Sequence, residues 1–200
     1  MSSSTPGTAA ATGSDSSLTS EAIGGAVTGA AAYVLGYLFV YVTQSDQVEE
    51  GLSGINFFAD LFGGDPISVW RGVGWLFYNA HFVDVSVPSL IGAARSVNFV
   101  SQADGGTYLF VVPPVLLVIA GLAAGRVAGA STPVDGARAG ALLTAGYLPL
   151  AVIGGFLFRV SVGDGASVAP DLITVVLLAG LVYPIAFGAI GGAVSSVLSD

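Results

Sequence analysis

The run Tyr108–Val127, YLFVVPPVLLVIAGLAAGRV, decides the architecture, and Gly140–Val160, GALLTAGYLPLAVIGGFLFRV, repeats its character. Each is long enough to cross a hydrocarbon core as a helix, which takes about 20 predominantly apolar residues. Between them lies a short loop bounded by Arg126 and Arg138. Working outward, Ala22–Val42 (AIGGAVTGAAAYVLGYLFVYV) and Asp171–Leu198 are stretches of the same kind. The expected fold class is all-α: an integral membrane four-helix bundle with spans at 22–42, 107–127, 139–160 and 171–198. Residues 1–21 are expected to be a disordered polar tail, rich in Ser, Thr, Ala and Gly and free of Lys and Arg. That start lacks the basic residues and the short apolar core of a cleaved signal peptide.

Composition points the same way. The 200 residues are 54% hydrophobic and 9% charged, against roughly 25% charged in an ordinary soluble domain. So few ionic groups cannot coat a water-facing surface, but they suffice where lipid covers most of it. Thirteen acidic residues face five basic ones, every basic residue is arginine, and lysine is absent. Most carboxylates fall between the apolar runs, a pattern that suits acidic surfaces kept hydrated in high salt. A net charge of -8 argues against nucleic acid, whose phosphates need a basic face. With no cysteine there is no disulfide framework, thiolate metal site or catalytic thiol.

The segment 43–106 is the longest polar stretch and is expected to carry short amphipathic helices. In Gly54–Phe62 (GINFFADLF), Ile55, Phe58, Ala59 and Phe62 share a side; Pro66 suits the first turn of a second helix. Val69, Val73, Leu76, Ala80 and Val83 then line one face while Arg71, Asn79 and His81 lie off it, the character of a helix lying in the membrane interface. Val87–Val100 reads as a further short helix capped by Ser86. The two arginines of the 126–138 loop place that loop, and with it both termini, on the cytoplasmic side.

Candidate functional residues are few. His81 and Asp84 are three apart, a helix-face spacing, but a metal site takes three or four ligands and the chain has one histidine; no metal, cofactor or catalytic residue is expected, and the bland reading is a polar face turned to solvent. Arg71 and Arg159 complete the polar groups near spans: Arg159 is an anion contact on a permeation path or a side chain reaching the headgroups near Asp164 and Asp171. Pro113, Pro114, Pro149 and Pro184 fall in three successive spans, where a proline removes one helical hydrogen bond and kinks the helix; Pro113–Pro114 also fits a first turn. Gly25 with Gly29, Gly121 with Gly125 and Gly129, Gly136 with Gly140 and Gly188 with Gly192 are spaced four apart, as helix-packing faces are. The phosphate-loop, HExxH and GxSxG patterns are missing, which leaves an enzymatic reading without residues.

The acidic, lysine-free loops, the Ser/Thr/Gly-rich tail, the aromatic segment SVWRGVGWLFYNAHFV (Ser68–Val83) and the short arginine loop together resemble a family of small polytopic membrane proteins from extreme halophiles, of unknown function. The resemblance covers most of 22–198, implies no functional residue and carries only the implication that some such proteins are transporter-like. The leading expectation is a transporter- or channel-like component, with the lipid bilayer and a second copy or a membrane protein as partners. The rival is a scaffold or accessory subunit binding a partner through 43–106. A common cavity behind the prolines and Arg159 would favour the first; a solidly packed bundle with an exposed outer Trp/Phe patch would favour the second.

Overall fold

The computed structural model describes residues 9–61, 65–89, 93–102, 106–162 and 166–198, without the side chains of 9–18 and 58–61. Four helical stretches are long and apolar enough to cross a membrane: Thr19–Phe57, Gly106–Val127, Pro133–Leu157 and Leu172–Val197. The first belongs to α1, Ala9–Leu61. The others are built from α4 (Val112–Val127), α5 (Pro133–Ala141) with α6 (Thr144–Leu157), and α7 (Leu172–Thr174) running through a π-helical stretch into α8 (Tyr183–Val197). Their outer sides carry large exposed aliphatics, among them Val27, Ile119, Ile153 and Ile190.

Several boundaries differ from expectation. α1 begins inside the expected disordered tail, at Ala9; Ala9–Ala11 are the best helix formers, and extending an existing helix avoids the cost of nucleation. It also continues 19 residues beyond Val42, because Val48 and Leu52 pack on α2 and reward the continuation. Its 53 residues span about 80 Å, far more than a hydrocarbon core of about 30 Å. The arginine loop is shorter than expected, since helix resumes at Pro133: Thr132 caps it by accepting from the Asp135 N–H at 3.2 Å, and proline suits the first turn. Asp104 and Asp164, the side chains of Phe58 and Ala59, and Phe62 lie outside the described residues.

The fold is mostly helical but not all-α. The single helix expected over Val87–Val100 is not formed: β1 (Val85–Val87) and β2 (Arg95–Val97) pair antiparallel, Val85 opposite Val97. The polar turn after α6 is likewise a hairpin, β3 (Val160–Ser161) with β4 (Ser167–Pro170). β1 joins β4, giving the order β2-β1-β4-β3. Val, Ser and Arg at alternating positions suit a half-buried strand, and pairing with β4 supplies the partners that local helix signals cannot foresee. α3 (Phe99–Gln102) follows β2, and a 3-10 turn, Gly106–Val111, leads into α4.

Three of the four prolines stand in the first turn of a helix. Pro113 and Pro114 occupy the first turn of α4, where a missing N–H costs little. Pro184 opens α8 directly after the π-helical stretch Val175–Val182. Only Pro149 is interior; its missing N–H leaves the Ala145 carbonyl without its helical donor. One turn earlier α5 and α6 are separated at Leu142–Leu143, which lie against Gly25 and Gly29 of α1.

Candidate functional site

α2 (Val69–Asn79) carries the centre of the molecule. It starts three residues later than Pro66 implied: Asn56 of α1 clamps the approaching chain, donating to the Ile67 carbonyl at 3.0 Å and accepting the Ile67 N–H at 2.7 Å. α2 is surrounded by the rest of the protein rather than exposed along one face. Gly72, Val73, Gly74, Trp75, Phe77, Tyr78 and Asn79 are all buried. Gly74 lets the Phe158 ring sit flush on the helix, and the Trp75 indole donates to the Phe158 carbonyl at 2.7 Å. The absent charge on most of this helix, more than its one-sided periodicity, is the signal that it is surrounded.

The end of α2 turns sharply. Phe82 adopts a left-handed backbone, φ 56°, uncommon for an aromatic residue, and its ring stacks on Phe110 at 4.4 Å. Asn79, fully buried, holds the turn: it donates to the Val83 carbonyl at 2.8 Å and accepts the Phe99 N–H at 2.8 Å.

His81 follows on this turn and is fully buried, so the solvent-facing reading fails. Sequence spacing placed it off the apolar face; the structure gives it polar partners inside. Nδ1 lies 2.7 Å from the Phe77 carbonyl and Nε2 lies 2.6 Å from the Tyr147 hydroxyl. A carbonyl only accepts, so Nδ1 holds the proton and neutral Nε2 accepts from Tyr147. Burial pushes the imidazole pKa down from 6.5 to about 4, against a smaller upward pull from the Phe77 carbonyl. Tyr183 and Phe77 cover its ring faces at 5.0 and 4.8 Å. Beside it, Tyr78 donates to the Ala151 carbonyl, which leaves its oxygen to accept from Tyr33 at 3.0 Å. Burial drives the Tyr78 phenol well above its ordinary range. A methyl group on Gly154 would strike both hydroxyls, so that glycine makes their pairing possible. The arrangement joins α1, α2 and α6 through neutral donors and acceptors that satisfy one another, and α8 packs against it through the Tyr183 ring.

The other candidates are not brought to this centre. Asp84 accepts the Asp171 N–H through its backbone oxygen, just before β1. Arg159 is exposed and donates from Nε to Ser167 at 3.0 Å across the β3–β4 hairpin. Arg71 lies 4.9 Å over the Trp70 ring, with its Nε buried and unpartnered. Among the described residues no hydrogen bond or ion pair links any two of Arg71, His81, Asp84 and Arg159, and no group of three or more His, Cys, Asp or Glu could hold a metal.

The glycines lie where helices touch backbone to backbone. A methyl on Gly121 or Gly140 would collide with the Gly188 carbonyl, one on Gly136 with that of Gly192, and one on Gly29 with that of Leu143. Gly125 meets Ser195, and Gly25 meets Leu142. Gly136 and Gly140, expected as a packing pair from their spacing, take part in these crossings, whereas Gly146, which meets the Ala26 carbonyl, has no glycine four residues away and was missed.

A separate groove of about 370 Å³ lies between the second half of α1, α2, α3 and the 3-10 turn. None of the four prolines and not Arg159 lines it.

A family model described as "Family of unknown function (DUF7978)" matches residues 3–199. No curated protein matches the chain. No solved structure matches it either.

Proposed function

The chain belongs to this family of unknown function, and from that premise we propose that it is a membrane-embedded scaffold or accessory subunit that holds an outer docking unit rigidly above a close-packed bundle. The observation that carries the reading is the His81–Tyr147 and Tyr33–Tyr78–Ala151 network, which bolts α2 and the turn after it to two of the long apolar helices, α1 and α6. Fixed on that frame, the outer unit exposes Phe57, Trp70 and Phe82. Polar groups tied to each other leave little to line a path, and backbone contact at Gly121, Gly140 and Gly188 fills the space between spans. The partner is a membrane protein or a second copy. The acidic, lysine-free loops fit work in high salt, where this surface stays hydrated; stability that rises with molar salt would support this, and unfolding in it would contradict it.

Both termini lie on the cytoplasmic side in this reading. Glu21, near the start of α1, shares a pocket with Gly129 and Arg138 of the arginine loop, so that loop and the N-terminal end occupy one end of the molecule. A Ser131→Cys variant in intact cells should resist a membrane-impermeant maleimide; rapid labelling would invert the topology.

A second reading, a transporter-like component, draws on the eight-residue π-helical stretch beside Tyr183 and His81, since π segments recur at functional sites. Liposome reconstitution separates the two. The scaffold passes no ion or small solute faster than empty vesicles. Flux that falls with Pro149→Ala or Arg159→Ala favours transport and sinks the scaffold.

A further inference from the structure

The groove beside α2 has the size and lining of a ligand site. Its volume of about 370 Å³ falls within the roughly 300–1,000 Å³ of small-molecule pockets. Its walls are Val48, Leu52, Trp75, Leu76, Val100 and Leu109. Among the described residues no charged side chain lines it, although Asp46, Glu49 and Glu50 stand on the same stretch of α1. Apart from the Trp75 indole, the polar side chains among its described lining are three carboxamides, Gln44, Gln47 and Gln102. The buried Gln44 commits its amide N–H groups to the Thr43 carbonyl and the Tyr108 hydroxyl, at 2.9 and 2.7 Å. Among the described residues its carbonyl oxygen receives no hydrogen bond. The packing that would close the groove is missing at one point: a side chain added at Gly51 would meet nothing within 4 Å.

Position identifies the occupant. Gly106 and Leu109 are in the first turns of a helix apolar enough to cross a membrane, and Gln44–Ile55 continues another such helix. Tyr108, from the same turn as Leu109 and 46% exposed, sits where tyrosines mark the headgroup level. The groove therefore opens at the edge of the hydrocarbon, beside a reservoir of lipid chains, and its neutral lining rejects headgroup charge. From this we infer that the groove binds one acyl chain of a membrane lipid, with the glutamine amides meeting the oxygens that join the chain to glycerol. A soluble apolar molecule and a partner helix are the competing occupants.

Trp75 reports occupancy directly. The chain has two tryptophans, so Trp70→Phe leaves Trp75 as the sole fluorophore. This variant is reconstituted in phosphatidylcholine vesicles with and without brominated acyl chains. Bound chains quench Trp75 at least twofold, while aqueous iodide scarcely does. Adding Gly51→Phe, at a groove-lining position where a Cβ meets nothing within 4 Å, should obstruct the groove and remove most of the bromine quenching, at little cost in melting temperature. Three outcomes overturn the inference: Trp75 unaffected by brominated chains; quenching that Gly51→Phe leaves intact; or iodide quenching that dominates, which would mean a water-filled cleft. If Gly51→Phe fails to fold, Leu109→Phe on the opposite wall replaces it.

Discussion

Where α4 and α5 meet α8, the touching residues are Gly121, Gly136, Gly140, Gly188 and Gly192; where α2 meets α1 and α6, they are Tyr33, Phe77, Tyr78, Tyr147 and Phe158. Both regions are tightly packed, by opposite means. Between helices in a bilayer, lipid tails are as apolar as leucine, so burying large side chains yields little and close backbone approach is what remains, the kind of contact these glycines make. Around α2 the large rings exclude solvent from one another, and each buried polar atom needs a partner. Glycine is tolerant of lipid and intolerant of added volume; the aromatic centre is sensitive to lost hydrogen bonds. Substitutions should therefore injure the two regions in different ways.

The largest effect is expected from Gly188→Leu. Its side chain would press on Gly140 and Leu143, and overpacking costs typically 1–3 kcal/mol and more when backbone is in the way; loss of the folded species in a detergent thermal-shift assay is the expected result. A melting temperature equal to wild type would mean the spans are not in backbone contact.

Next comes the pH response of the aromatic centre. The unfolded chain protonates His81 near pH 6.5, the buried ring only near pH 4. A lowered pKa means the unfolded state binds the extra proton between these values. Stability is then full above pH 6.5 and falls as the pH drops towards 4, by about 3 kcal/mol in all. Chemical denaturation at several pH values should show that slope in wild type and not in His81→Gln; an identical slope in both would assign it to other groups.

Tyr147→Phe removes the donor to His81 Nε2 and leaves a buried acceptor unsatisfied, a loss of about 1–3 kcal/mol that Gly-rich crossings should not share. Double-mutant analysis with His81→Gln should give a coupling well above zero; simple additivity would dissolve the pair. The smallest effect belongs to Arg159→Ala. Its bond to Ser167 is exposed, and such contacts are worth about 1 kcal/mol or less. A large loss of stability there would show that the hairpin matters more than its exposure implies.

How much of this was legible beforehand follows from the same contrast. The four apolar runs are visible because crossing a membrane is written in length and composition alone, and the family match extends along nearly the whole chain. Gly121, Gly125, Gly188 and Gly192 stand out because small residues at a spacing of four define a face without reference to what meets it. The aromatic centre was not legible. His81 and Tyr147 are 66 residues apart, and only the tertiary path of α2 makes one the partner of the other. The sheet was missed for the same reason: β1 and β4 come from distant loops, and Val87–Val100 has no local feature that demands a strand. Pro184 suggested a kink, and the structure puts it where a π-helical stretch passes into α8 within one helical run.

The central claim is that the exposed aliphatic sides of the four helices face lipid while the far half of α1 does not. With no native cysteine, single spin labels at Ile119→Cys and Glu50→Cys test it in reconstituted bilayers. The account predicts that the label at position 119 collides freely with oxygen and scarcely with a water-soluble nickel chelate, and that the label at position 50 does the reverse. A label at position 119 readily reached by the chelate would contradict it.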